Sequence, residues 1–130
     1  MILSVPQLNH ISGEVVDSAM EVHTALGPGL LESSYEACLV YELRLRSLEV
    51  VQQLALPIVY KDVRLDYGYR LDLLVGGAVI VELKASEKPH PVHEAQLLSY
   101  LRLSGHRLGL LINFHVPRLK DGIKRMANGL

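Results

Sequence analysis

The sequence of 130 residues predicts an α/β fold, a mixed four-stranded sheet flanked by helices in the order α-α-β-β-β-α-β. Three observations carry this. The apolar period changes from helical to alternating near Val50 and returns to helical near Glu94. Gly76-Gly77 stands between two apolar runs and supplies the permissive backbone that a two-residue hairpin needs. Leu108 to Asn113 is a short apolar run after a helical segment, which reads as a buried strand that arrives by crossover and lies parallel to its neighbour. Hydrophobic residues make up 49% of the chain, charged residues 21%, and mean hydropathy is +0.22, which excludes global disorder and leaves one core for one domain over residues 1–130.

The first helix is expected from Asn9 to Leu26, where Ile11, Val15, Val16, Ala19, Val22 and Leu26 recur at three- and four-residue steps opposite Glu14, Asp17 and Glu21. Gly27-Pro28-Gly29 stops it, and a second helix runs from Leu30 to Ser47 through Leu31, Tyr35, Cys38, Leu39 and Leu43. Val50 to Tyr60 and Val63 to Val75 are rich in β-branched and aromatic residues and read as two antiparallel strands joined at Lys61-Asp62. Pro57 within the first calls for an edge or a bulge, because proline has no ladder donor. Ala78 to Lys84 is the third strand. Ser86 to His93, with two prolines, is a loop before a third helix from Glu94 to Ser104 whose buried side carries Leu97, Leu98 and Leu101. The tail from Pro117 reads as a loop and a short frayed helix carrying Leu119, Ile123 and Met126.

Cys38 is the single cysteine, so no intrachain disulfide or multi-cysteine metal site is available, and a reducing cytoplasmic setting is expected. The N-terminal residues lack the basic and long apolar regions of a signal peptide, and no apolar run is long enough to span a bilayer, so no membrane association is expected. Net charge is −1, but it is unevenly placed: residues 1–60 carry −5 and residues 61–130 carry +4. The basic half is able to attract a phosphate backbone, although an ordinary solvated surface has the same composition.

The chemistry concentrates in the third strand, where Glu82 and Lys84 interrupt an apolar run two residues apart and therefore share a face. Folding the hairpin about Gly76-Gly77 brings Asp72 to the level of Glu82, so two carboxylates and an amine converge. Charges among Leu, Val and Ile are costly unless paired or metal-bound, so either a Lys84 salt-bridge network or a metal site must account for them. In the metal reading, Asp72, Glu82 and the Leu83 backbone carbonyl are hard oxygen ligands suited to Mg²⁺ or Mn²⁺, and Lys84 orients the nucleophile or offsets developing charge.

The ordered blocks Gly29-Leu-Leu-Glu32-Ser-Ser-Tyr35, Tyr69-Arg-Leu-Asp72, Val81-Glu82-Leu-Lys84-Ala85, Glu94-Ala-Gln96-Leu-Leu-Ser-Tyr100 and Leu110-Leu-Ile-Asn113-Phe114 resemble the GxxExxY proteins of the PD-(D/E)XK nuclease superfamily. The resemblance runs from about Ile11 to Leu130, with Leu71 where the PD element has proline. It implies a restriction-endonuclease-like core in which Asp72, Glu82 and Lys84 form the nuclease motif. It further implies that Glu32 is an extra acid reaching the metal through water, and that Gln96 and Tyr100 form a supporting element on the third helix. The implied function is Mg²⁺-dependent hydrolysis of nucleic acid, DNA more than RNA, by a protein able to pair as a homodimer. The alternative is a catalytically silent nucleic-acid-binding or scaffolding protein of the same fold. Tyr35 and Gly29 also suit purely structural roles. His90 and His93 are assigned to the loop, His23 to the end of the first helix, and Arg118, Lys120, Lys124 and Arg125 are candidate phosphate contacts.

Overall fold

A computed structural model of the chain describes residues 2–88 and 90–130. Met1 lies outside the described residues, and so does Pro89, one of the two prolines in the expected loop. The helices are α1 (Val5–Leu26), α2 (Glu32–Leu45) and α3 (Pro91–Ser104). The strands are β1 (Val50–Ala55), β2 (Ile58–Tyr60), β3 (Val63–Leu65), β4 (Arg70–Val75), β5 (Val79–Lys84), β6 (Leu108–Asn113) and β7 (Ile123–Ala127), and a 3-10 turn, Leu119–Gly122, precedes the last.

Helix α1 begins four residues before the apolar period because Ser4 and Gln7 form a capping box, with the Gln7 N–H donating to Ser4 Oγ (3.2 Å) and the Ser4 N–H donating to Gln7 Oε1 (2.8 Å). Pro6 occupies the first turn, where its missing N–H has no partner to lose. Helix α3 likewise starts early, at Pro91, since His90 Nδ1 accepts from the Val92 N–H (3.1 Å) as its N-cap. His93 therefore stands in the first turn of a helix and not in a loop.

A five-stranded sheet has the order β1-β4-β5-β6-β7, with β5 and β6 parallel and the other neighbours antiparallel. The meander, the Gly76-Gly77 hairpin and the parallel β6 match the sequence expectation. Two details differ. The expected strands Val50–Tyr60 and Val63–Val75 are each broken, and their inner portions, β2 and β3, pair only with each other as a separate two-stranded hairpin. Pro57 cannot continue the ladder, and Gly68, at φ 83°, turns the chain back to β4. The tail makes only one short 3-10 turn, at Leu119–Gly122, and from Ile123 it is a fifth strand and not a helix, pairing Ile112 with Ile123 and Leu108 with Ala127.

Alternation along β5 divides the core. Val79, Val81 and Leu83 pack with Val15, Ala19 and Val22 of α1 and Tyr35, Leu39 and Leu43 of α2. Ile80 packs with Leu97, Tyr100 and Leu101 of α3. Two helices thus cover one face and one covers the other, and Glu82 and Lys84 project on the α3 side. Among the described residues no helix is long and apolar enough to cross a membrane.

Candidate active site

Leu73 pairs with Val81 across the β4–β5 hairpin, so the next position sets Asp72 opposite Glu82. Here the carboxylates take over from the ladder. The Asp72 N–H donates to Glu82 Oε1 (3.1 Å), and the Leu83 N–H donates to Asp72 Oδ2 (2.8 Å). The two strands are tied together by an exchange of side chain for backbone, which fixes both acids at the open end of the sheet. The Leu83 carbonyl lies on the same edge of β5 as its N–H, towards β4 beyond the last regular pair.

On the other side of Asp72 the β1–β4 register holds at Gln52–Leu73 and at Leu54–Leu71 but skips Gln53. Gln53 adopts φ 51°, a left-handed conformation uncommon for a residue with a side chain, and its amide bridges Glu36 Oε1 (2.9 Å) and Asp72 Oδ1 (3.5 Å). Gln52 also donates to Glu36, at Oε2 (3.1 Å). The irregularity shifts the phase of β4: Leu71 and Leu74 pack on the α3 side, Leu73 and Val75 on the other, and Asp72 sits at the switch. The sequence reading missed Gln53 and Glu36. Two consecutive glutamines in an otherwise apolar strand were the available signal.

Glu82 is 4% exposed. Burial first, and the Asp72 charge second, push its carboxyl up to about 8, against the smaller opposing pulls of the Asp72 N–H and Lys84. Among the described residues the ion pairs are Arg46 with Glu14 and Glu21, and Arg64 with Asp66, so Lys84 closes no salt bridge to either acid. Glu32, at the start of α2, stands at the rim. Partial burial raises its carboxyl, Lys84 opposes that, and Asp72 adds to it. Burial also raises the Tyr100 phenol, followed by the charges of Glu82, Tyr69 and Asp72, with a Gln96 hydrogen bond acting the other way. His93 is lowered by burial and by Lys84 and His90. The structure therefore gathers Asp72, Glu82, Lys84, Glu32, Gln96 and Tyr100 into one electrostatic neighbourhood at one end of the sheet.

An open depression lined by Glu32, Glu36, Gln53 and Asp72 flanks this centre on one side, and a cleft lined by Lys84, His90, His93, Asn113 and Lys124 flanks it on the other. Asn113 fixes the chain after Lys84: it accepts from the Ser86 N–H (3.1 Å) and the His115 N–H (3.1 Å) and donates to the Ser86 carbonyl (2.9 Å). Arg125 is engaged by Asn9 (2.7 Å), whereas Arg118, Lys120 and Lys124 are exposed. His23 is buried, and its Nε2 lies 2.8 Å from the Val116 carbonyl, joining α1 to the segment after β6.

The segment Gly29 to Tyr35 has a structural logic. Gly29 takes φ 101°, which excludes other residues on steric grounds. Tyr35 is fully buried and stacks on Phe114 (4.4 Å between ring centres), while its hydroxyl donates to the Gly27 carbonyl and accepts from the Leu30 N–H (3.1 Å). Tyr35 thus pins the loop that delivers Glu32 to the site.

Two carboxylates and a carbonyl, with no cation of the described residues paired to either acid, fit a hard divalent ion. Among the described residues no three His, Cys, Asp or Glu side chains group closely enough to hold a metal by themselves. No curated protein and no solved structure shows a significant match to the chain. A family model described as the PD-(D/E)XK nuclease superfamily matches residues 9–126, which covers all of these site residues, and the chain belongs to that superfamily.

Proposed function

We propose that the protein is a divalent-metal-dependent nuclease of the GxxExxY type that hydrolyses phosphodiester bonds in nucleic acid. One observation carries the reading furthest: Glu82 is buried against Asp72 with no cation among the described residues paired to either. A purely structural ion network has Lys84 closing on an acid. Like charges set face to face call instead for a proton or a metal.

In this reading Asp72, Glu82 and the Leu83 carbonyl would hold Mg²⁺ or Mn²⁺, with Glu32 as a further acid at the rim. Such a cation would supply Lewis acidity for a phosphoryl oxygen and for the attacking water. Lys84, in no salt bridge among the described residues, orients the attacking oxygen and offsets charge that develops on the phosphate. Tyr100, whose phenol is raised, presents an O–H donor, and Gln96 stands one turn earlier on the same helix. Glu36 and Gln53 position Asp72 from behind.

Cleavage of single- and double-stranded DNA and RNA with Mg²⁺, Mn²⁺ or chelator tests this. Metal-dependent cleavage that disappears in Glu82→Ala, with the variant still folded, supports it. A folded wild-type protein that cleaves none of the four substrates with either metal contradicts it and leaves a scaffold of nuclease fold.

A further inference from the structure

The hairpin of β2 and β3 has no part in the site as described, and almost nothing packs on it. Val59, Tyr60 and Val63 are exposed although they are strand residues of a type that normally seeks cover. A two-stranded hairpin is marginal by itself in water, so this one exposes apolar surface and stands apart from both core clusters. Tyrosine is concentrated here. Of six in the chain, Tyr60, Tyr67 and Tyr69 lie in this insertion, at 64%, 76% and 42% exposure, whereas Tyr35 and Tyr100 are buried at 0% and 7% and Tyr41, at 65%, lies apart on α2.

Topology places the insertion at the same end of the sheet as the site. It joins the end of β1 to the start of β4, and both lie at the end of the sheet where β5 finishes with Glu82 and Lys84. At its root, Tyr69 meets the Tyr100 ring edge-on at 6.4 Å, and Asp72 follows three residues later. At its tip, Lys61 takes φ 52°, where glycine or asparagine is the unstrained choice, and its ammonium sits 5.4 Å from the centre of the Tyr60 ring.

Resting on the nuclease reading, we propose that residues 57–69 form an arm that grips a single-stranded segment of nucleic acid, with Tyr60 and Tyr67 stacking on bases and Lys61, Arg64 and Arg70 following the backbone, and feeds it to Asp72 and Glu82. The balance of forces selects an unpaired strand over a duplex. The three cations are offset by Asp62 and Asp66, and Arg64 is already within 3.4 Å of Asp66, so phosphate attraction alone is weak. Exposed ring faces are the larger resource, and only unpaired bases offer faces to stack on them. Aromatic residues make up only 5% of the chain. Clustering within ten residues, and not the total, is what matters.

The test is fluorescence anisotropy in chelator with a labelled oligothymidylate and a duplex of matched length, comparing wild type with Tyr60→Ala/Tyr67→Ala. Both substitutions are exposed, and an unchanged thermal unfolding curve verifies folding. The proposal expects the double variant to bind the oligothymidylate about tenfold or more weakly, with duplex binding unaltered. It is overturned by unchanged binding, by equal weakening on the duplex, by a wild type that binds no oligonucleotide, or by a wild-type dimer that the variant dissolves without loss of binding. Magnesium then separates the two claims. Wild type that binds without ever cleaving removes the nuclease reading and leaves the arm, whereas a variant that binds and cleaves like wild type removes the arm and leaves the nuclease.

Discussion

Asp72 and Glu82 each occupy a hydrogen-bonding position on the other's strand: the Asp72 N–H donates to the Glu82 carboxylate, and the Asp72 carboxylate accepts from the Leu83 N–H. The regular β4–β5 ladder ends where this exchange begins. The same groups that close the hairpin therefore hold the two acids side by side, and the geometry of the site is inseparable from the pairing of the strands.

Stability of the metal-free protein is expected to fall as pH rises. Glu82 is raised from 4.5 to about 8, so the folded state holds its proton more tightly than the unfolded chain. The stabilisation is complete below about 4.5 and is lost progressively as pH climbs through 8, a change on the order of 5 kcal/mol. Glu32 shifts the same way and adds to it. Denaturant melts in chelator across that range measure the slope, which Glu82→Gln should largely remove.

Metal binding is expected to release a proton below pH 8, since a ligand carboxylate must be ionised to coordinate. Affinity should therefore rise from pH 6 to 8 and then level. Calorimetry in buffers of different ionisation enthalpy reads the proton directly. Binding with no proton release at pH 6.5 places the metal elsewhere than on Glu82.

Lys84→Met should reduce cleavage by about a hundredfold or more while leaving the unfolding midpoint nearly unchanged, because Lys84 closes no salt bridge among the described residues. Parallel rate and melting measurements separate the two effects. A large loss of stability reveals a structural role instead.

Tyr35→Phe removes a buried hydroxyl that donates to Gly27 and accepts from Leu30, leaving those backbone groups without it at a cost of about 1–3 kcal/mol. The ring still stacks on Phe114, so the fold should survive. Cleavage should fall too, because the loop that carries Glu32 loosens. Stability and rate, measured together, check the link; a destabilised variant with full activity breaks it.

Helices, the Gly76-Gly77 hairpin and the parallel β6 were legible because each leaves a strong local mark: a sustained apolar period, paired glycines, a short apolar run. The separate hairpin was not. β-branched residues lie on both sides of Pro57, and the period carries no record of where the ladder changes partner. Strand β7 was hidden because Ile123 and Met126 stand three apart, which imitates a helical step; in a strand that spacing sends them to opposite faces, and here both faces are covered. At the site, the shared level of Asp72 and Glu82 followed from the turn. The left-handed Gln53 did not, because its conformation is imposed by the pairing on either side of it and glutamine gives no sign of it.

The most direct measurement is a calorimetric titration of Mg²⁺ and Mn²⁺ into wild type and into Asp72→Ala/Glu82→Ala, run beside cleavage of single- and double-stranded DNA and RNA. The account predicts saturable binding in wild type that vanishes in the double variant, and metal-dependent cleavage that vanishes with it. Wild type that binds neither metal even with nucleic acid present, or a double variant that binds and cleaves as before, contradicts it.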